Sequence, residues 1–219
     1  MKDVRLLVFD LDGTLVDSIR DLTTATNAAL GVLAPGTPAI PLEVVRSFIG
    51  DGARVLLRRS LEHAHLPHTV DEAMPVYLDC YSRSLLDSTR LYPGVREALD
   101  RLHGRTLAVL TNKPGSLSRT ILAGLGVADR FARIWGAGDV PGHKPEPAGL
   151  LRLLAELETA PGEALMVGDS AVDVKTGRAA GVRTVGVTWG FKPQDLELEP
   201  PDLLIDDMRE LPTLLSTAA

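Results

Sequence analysis

The stretch Leu6-Leu7-Val8-Phe9-Asp10-Leu11-Asp12-Gly13-Thr14-Leu15-Val16-Asp17-Ser18 decides how the rest of the chain reads. Leu6–Phe9 is an unbroken run of apolar residues, which predicts a buried strand with no polar face. The run ends on Asp10, and Asp12 follows two residues later. Gly13 then breaks the strand and lets the backbone turn sharply. If strand alternation persists through residue 12, Asp10 and Asp12 lie on the same side. Two carboxylates crowded at a strand tip repel each other, so such a tip needs a cation or a shared proton. Taken alone, the segment is either a site or a solvated turn; the segments that follow decide between them.

The bulk properties bound the answer. The chain has 219 residues, 45% of them apolar and 24% charged, enough to bury a core in one large or two modest domains. Its formal charge of −6 argues against a nucleic-acid surface and an anionic membrane partner. A small anionic substrate needs only local positive charge and is not excluded. A single cysteine, Cys80, rules out an internal disulfide and fits a reducing compartment. No apolar run approaches the ~20 residues of a membrane span. Asp3, Asp10 and Asp12 interrupt the N-terminal segment where an export signal needs basic and then apolar residues. The expectation is a cytoplasmic protein.

Outward from the opening strand, helical spacing dominates as far as residue 91. Leu22, Ala25, Ala29 and Leu30 mark a helix starting near Asp17-Ser18. Leu33–Pro41, with three prolines and Gly36, is a loop, and Pro41 suits the first turn of a short helix ending before Gly50. Another helix runs from Ala53, marked by Leu57, Ser60, Leu61 and Ala64. Met74, Tyr77, Leu78, Tyr81 and Leu85 mark a further helical face. No strand is expected between 16 and 91.

The pattern changes at Tyr92-Pro93-Gly94. After a helix over Val95–Leu102, strands are expected at Thr106–Leu110, Arg133–Ala137, Ala164–Val167, Thr184–Thr188 and Leu203–Ile205. Helices are expected between them over Ser118–Leu125, Ala148–Leu157 and Val172–Ala180, with one more at the end of the chain. Alternation with short loops implies a mostly parallel sheet covered by helices. The opening strand must join that sheet, so the helical segment is an insertion. The expected organisation is an α/β core over 1–15 and 92–219, with an all-helical cap over 16–91.

Ligands of open parallel sheets bind beyond the carboxyl ends of the strands. Four such ends carry chemistry. Asp10 and Asp12 follow the first strand. Thr111-Asn112-Lys113-Pro114 follows Leu110 with a hydroxyl, an amide and a turn. Gly142-His143-Lys144-Pro145 follows Ala137. Gly168-Asp169-Ser170 follows Val167, with Asp173 four residues beyond Asp169 and expected on the same helical face. Three or four carboxylates, a hydroxyl, an amide and a lysine suit a hard divalent cation, Mg²⁺ being usual where a phosphate completes the shell. The lysine and hydroxyl can hold the remaining anionic oxygens, meeting charge that develops on a transferring phosphoryl group.

These four segments, in this order and spacing, resemble the motifs of haloacid dehalogenase superfamily phosphatases, and the resemblance runs through the whole chain. It implies a Rossmann-like parallel-sheet core with an inserted helical cap. It implies that Asp10 is a nucleophile forming an aspartyl-phosphate, and that Asp12 is the acid to the leaving alcohol and then the base for water. Thr111 would bind a phosphoryl oxygen, Asn112 would support the site, and Lys144 would hold nucleophile and phosphoryl group. The implied metal site draws on Asp10, the Asp12 carbonyl, Asp169 and Asp173, the last through water or by holding Lys144. Asp12 argues against the dehalogenase branch, which lacks this acid. Among the residues 16–91 there is no lysine, which excludes a phosphonatase-like Schiff base and weakens a sugar-phosphate mutase reading.

Phe48-Ile49-Gly50-Asp51-Gly52-Ala53-Arg54 resembles the cap turn of phosphoglycolate phosphatases, and Val187-Thr188-Trp189-Gly190 also fits that family. Gly50 and Gly52 either let a ligand approach or only punctuate helices, and Arg54 either meets a substrate carboxylate or is solvated. The Pro-rich segment 33–41 departs from the family pattern. His63, His65 and His68 are read as an exposed turn, His143 as a cleft residue or spectator, and Cys80 as structural. Glu197, Glu199, Asp202, Asp206 and Asp207 are read as a solvated acidic face. The reading is a Mg²⁺-dependent hydrolase of a small phosphorylated metabolite, first 2-phosphoglycolate, in a monomer or homodimer. The alternatives are a mutase, nucleotidase or pyrophosphatase, or a non-enzymatic binding protein on this fold.

Overall fold

Leu6–Phe9 forms β1, and its four side chains are fully buried. Burial of that kind contributes roughly 2 kcal/mol per large apolar side chain. The computed structural model describes residues 3–216; the expected core limits at residues 1 and 219 lie outside them. The chain divides into two compact units, one formed by the residues up to Asp17 and from Leu91 onward, the other by Ser18–Arg90.

After β1 the chain forms β2 (Val16–Asp17) and then α1 (Ile19–Leu33), α2 (Leu42–Phe48), α3 (Ala53–His63) and α4 (Val70–Ser82). Next come β3 (Arg90–Leu91), α5 (Val95–Arg101), β4 (Thr106–Pro114), α6 (Gly115–Gly124) and β5 (Arg133–Ala137). The remainder is α7 (Ala148–Glu156), β6 (Ala164–Gly168), α8 (Ala171–Ala179), β7 (Arg183–Val187), α9 (Asp195–Leu198), β8 (Leu203–Ile205) and α10 (Glu210–Ser216).

The main sheet has the order β5-β4-β1-β6-β7-β8, and every pairing in it is parallel. β1 lies between β4 and β6, with Phe9 in register with Val109 on one side and Val167 on the other. The chain builds outward on one side of β1 and then on the other, so the carboxyl end of β1 is a topological switch point. Strand alternation sends Leu6 and Val8 to one face, where they pack with Ala108, Leu110, Met166 and the α7 leucines Leu150, Leu153 and Leu154. Phe9 faces the other way, its ring edge-on to Phe131.

Several sequence expectations need correction. Residues 16–91 are not free of strand: β2 and β3 form a small two-stranded sheet. They are too short to show any apolar alternation. β4 does not stop at Leu110 but runs to Pro114, with its register to β5 shifting between those residues. α4 ends at Ser82, so Leu85 lies beyond it; the helix buries Ala73, Tyr77 and Tyr81, while Met74 and Leu78 are half-buried. α9 was not expected. On the acidic face Glu197, Asp202 and Asp206 are exposed as expected, while Glu199 and Asp207 are half-buried; Asp202 also accepts hydrogen bonds from the Thr184 amide at 2.7 Å and hydroxyl at 2.9 Å.

Within Ser18–Arg90, two side chains tie distant segments together. Asn27 exchanges two hydrogen bonds with the Ile40 backbone, at 2.8 and 3.0 Å, pinning the Pro-rich loop to α1. Asp21 is buried and accepts hydrogen bonds from the Ser88 and Thr89 amides and the Thr89 hydroxyl, at 2.7–3.0 Å. Removing this carboxylate would leave buried donors unsatisfied, at a cost of about 1–3 kcal/mol per group. Asp21→Ala is therefore expected to destabilise the protein by at least about 2 kcal/mol in a denaturant titration. A change below about 0.5 kcal/mol would show that water replaces the carboxylate without loss.

Candidate active site

The carboxyl ends of β1, β4 and β6 bring the chemical side chains together. Lys144 sits in the loop between β5 and α7, with its ammonium 2.8 Å from Asp10 Oδ1 and 2.6 Å from Asp173 Oδ1. Only 3% of its side chain is exposed. Asn112 holds the Lys144 backbone from both sides: its amide nitrogen donates to the Lys144 carbonyl and its oxygen accepts from the Lys144 amide, each at 2.9 Å. A lysine fixed in this way points its charge without depending on a flexible loop.

Asp169 follows β6 directly. Its Oδ2 accepts a 2.7 Å hydrogen bond from the Phe191 amide, and the Thr14 hydroxyl stands 3.5 Å from Oδ1. Two glycines close around the carboxylate. A Cβ on Gly13 would lie 2.3 Å from Asp169 Oδ2, and one on Gly190 would lie 2.2 Å from Asp169 Cβ. Gly13 also has φ +89°, which disfavours any side chain. The glycine after Asp12 therefore supplies both the turn and the room for Asp169.

Asp173 does not share a helical face with Asp169, contrary to the expectation from spacing. Asp169 precedes α8, Ser170 is its N-cap, and Asp173 lies in the first turn. Asp173 Oδ2 accepts from the Ser170 amide at 3.2 Å and hydroxyl at 2.9 Å, forming a capping box. Its other oxygen is left to meet Lys144.

Asp10 and Asp12 diverge. β1 ends at Phe9, and the Gly13 turn sends the second carboxylate elsewhere. The Asp12 carboxylate meets the ammonium of Lys113, 3.0 and 2.9 Å from its two oxygens. Lys113 was not singled out in the sequence; a lysine read on a turn gives no sign that it is buried. Thr111 is buried beside it, its hydroxyl accepting a 3.2 Å hydrogen bond from the Lys113 amide. Thr111, Asn112 and Lys113 lie between Leu110 and Pro114, where β4 shifts its register to β5, and such an irregularity re-aims side chains. His143 is exposed.

Asp10, Asp169 and Asp173 each offer a carboxylate oxygen, all within 4.8 Å of one another. They are the only group of three or more potential ligands among the described residues. Burial pushes the Asp10 carboxyl up to about 6; Lys144 pulls it back and Asp173 adds to the rise. Burial likewise holds Asp169 well above the usual carboxylate range, with Asp173 and Asp10 pushing the same way. Burial alone would lower the Lys144 ammonium, but Asp10 and Asp173 overcome it and hold the group above its ordinary value.

The local charges leave room for a dication. Four carboxylates face two ammonium groups, so two formal negative charges remain. Asp10 Oδ1 is buried, and the Lys144 ammonium lies 2.8 Å from it in a contact too poorly aligned to satisfy it fully. A hard, all-oxygen donor set with an unsatisfied buried oxygen fits a divalent cation.

The cap-turn residues lie in the other unit. Gly50 and Gly52 have φ values of +115° and +89°, and Gly52 is the N-cap of α3. Arg54 forms an exposed ion pair with Asp71 at 2.7 Å. Arg59, unremarked in the sequence, binds Asp51 and the Phe48 carbonyl and so closes the turn. His63 packs edge-on to Phe48.

Residues 7–187 match the model of the haloacid dehalogenase-like hydrolase family. A phosphoglycolate phosphatase of Pseudomonas putida is 40% identical, the alignment covering 94% of this chain and 78% of that protein. A phosphoglycolate phosphatase of Vibrio parahaemolyticus is 35% identical, over 100% of this chain and 99% of that one. Among solved structures, one described as a "predicted phosphoglycolate phosphatase" from Haemophilus somnus superposes with a TM-score of 0.91 at 33% identity, covering 98% and 99% of the two chains. A haloacid dehalogenase-like family protein of Streptococcus pneumoniae gives 0.85 at 25% identity, with the same coverage. Match and site together establish that this chain belongs to the haloacid dehalogenase-like hydrolase family.

Proposed function

We propose that this chain is a Mg²⁺-dependent phosphomonoester hydrolase that works through a phosphorylated Asp10, with 2-phosphoglycolate as its first candidate substrate. The observation that carries the reading is the meeting of Asp10, Lys144, Asp169 and Asp173 at the ends of neighbouring strands. The names borne by relatives at 35–40% identity support the substrate.

Asp10, Asp169 and Asp173 would hold Mg²⁺, together with the Asp12 carbonyl. When bound, the cation supplies positive charge that lets an anionic carboxylate approach an anionic phosphate. Lys144 adds a fixed positive charge on the nucleophile, and the Thr111 hydroxyl offers a donor to a phosphoryl oxygen. Asp10 attacks phosphorus, a carboxylate oxygen–phosphorus bond forms, and the ester P–O bond breaks. Asp12 gives a proton to the departing alkoxide. Asp12 then takes a proton from water as that water attacks phosphorus; a new P–O bond forms, the Asp10 oxygen–phosphorus bond breaks, and inorganic phosphate leaves with Asp10 restored.

Ser18–Arg90 acts as a cap that excludes water and selects the substrate. Gly50 and Gly52 would let the turn approach a bound anion, and Arg54 would meet a substrate carboxylate. The Arg54–Asp71 pair is exposed, and such pairs are weak enough to exchange partners. The single cysteine supports a cytoplasmic setting. Among the described residues, no helix is long and apolar enough to cross a membrane.

Two outcomes follow. Phosphate release from 2-phosphoglycolate in Mg²⁺ is expected from the native chain, and Asp10→Asn is expected to lower it by about 1,000-fold or more; turnover within about tenfold of native would refute the covalent route. Adding Mg²⁺ to cation-free protein is expected to raise its Tm. The rise should be larger near pH 7.5 than near pH 5, because protons occupy Asp10 below about 6 and compete with the cation. Both raised carboxyls bind protons more tightly folded than unfolded. The linkage of Asp10 therefore costs the cation-free protein stability as pH rises from about 4 to about 6, and that of Asp169 acts in the same direction. No Tm shift with Mg²⁺, or one equal at both pH values, would contradict the assigned cation site.

A further inference from the structure

We infer that Lys113 is a positioning residue that acts on the chemistry through Asp12. The inference rests on the acid–base role proposed above for Asp12, and it assigns to this chain a second lysine with a duty separate from that of Lys144.

Three observations carry it. Lys113 reaches both oxygens of one carboxylate, at 3.0 and 2.9 Å, with only 4% of its side chain exposed. A buried lysine that reaches both oxygens of a carboxylate constrains that side chain's rotamer more than an exposed pair would. The two lysines also divide the carboxylates between them: Lys144 takes Asp10 and Asp173, and Lys113 takes Asp12. The Asp12 carboxylate stands outside the group that could hold a cation. Finally, Lys113 lies where β4 shifts its register, on a segment whose neighbours Thr111 and Asn112 face the same site.

The physical need is plain. A carboxylate two residues from Asp10 is drawn to any dication held there. Once it serves as a cation ligand, its oxygens are no longer available to carry a proton to and from the leaving oxygen and the water. The Lys113 ammonium offers a competing charge at a fixed place. It keeps the Asp12 carboxylate apart from Asp10, Asp169 and Asp173. Lys113 thus acts on the rate of the chemical steps rather than on the affinity for substrate.

The test is a double-mutant cycle on kcat and KM with 2-phosphoglycolate in Mg²⁺, using Lys113→Met, Asp12→Asn and the double variant. Asp12→Asn should lower kcat by about 100-fold or more. Lys113→Met should lower kcat by at least about tenfold with KM within about threefold of native. The double variant should match Asp12→Asn within about threefold, because Lys113 has nothing left to position. Losses that multiply in the double variant would overturn the inference, since Lys113 would then act independently of Asp12. An unchanged kcat in Lys113→Met, or an effect confined to KM, would overturn it as well. If Lys113→Met does not fold, Lys113→Arg, which keeps the charge but displaces it, takes its place in the cycle: a lower kcat alone with no further loss beyond Asp12→Asn supports the inference, and an unchanged kcat or multiplying losses overturn it. An Asp12→Asn variant with native kcat would instead fault the acid–base role of Asp12, and the inference would fall with it.

Discussion

Lys144 places one buried positive charge between two carboxylates, 2.8 Å from Asp10 and 2.6 Å from Asp173, and the candidate site is built around that contact. Charges so far from water are costly unless each is paired and hydrogen-bonded. Removing one member of such a pair typically costs about 3–5 kcal/mol, because the other is left buried alone. The surrounding structure answers this demand. Asn112 grips the lysine's backbone, Ser170 caps Asp173, and the Phe191 amide satisfies Asp169. Each supporting contact comes from a different element, so the site depends on the sheet being assembled.

The sheet delivers these residues because β1 stands at its switch point. Its two neighbours, β4 and β6, run parallel to it in near-flush register. Their carboxyl ends therefore open at one level, and residues distant in sequence arrive side by side. The apolar run of β1 and the carboxylate at its tip are thus two parts of one device: the first fixes the strand in the core, the second faces what the core excludes. Two ammonium groups against four carboxylates leave the pocket short of positive charge. Burial is the main cause of the raised carboxyls of Asp10 and Asp169, and the neighbouring carboxylates add to it.

Much of this was legible in the residues. The unbroken apolar run read as a buried strand, and strand–helix alternation after Tyr92 implied a mostly parallel sheet. Asp10, Lys144, Asp169 and Asp173 were found because ligands gather at strand ends, a rule that needs no coordinates. What escaped was whatever three-dimensional context overrides. Lys113 has the same letter whether solvated or buried, and its burial arises from a register shift in β4 that no local pattern announces. Asp10 and Asp12 were expected on one side because alternation was extended past Phe9, whereas the strand ends there and Gly13 turns the chain. Asp173 was placed by helical spacing from Asp169, although Ser170 starts the helix; the Ser-x-x-Asp spacing of a capping box was the signal that could have found this. β2 and β3 are too short for any periodicity to reveal.

The central claim is that the carboxylate of Asp10 carries the phosphoryl group. Its most direct test is chemical trapping during turnover: the enzyme is quenched, treated with borohydride, and the peptide containing residues 6–18 is sequenced by mass spectrometry. A carboxyl phosphate is reduced by this treatment to an alcohol, whereas a free carboxylate survives. The account predicts homoserine at position 10 and unmodified aspartate at position 12. Reduction at Asp12, or at no residue of the protein under conditions where phosphate is being released, would contradict it.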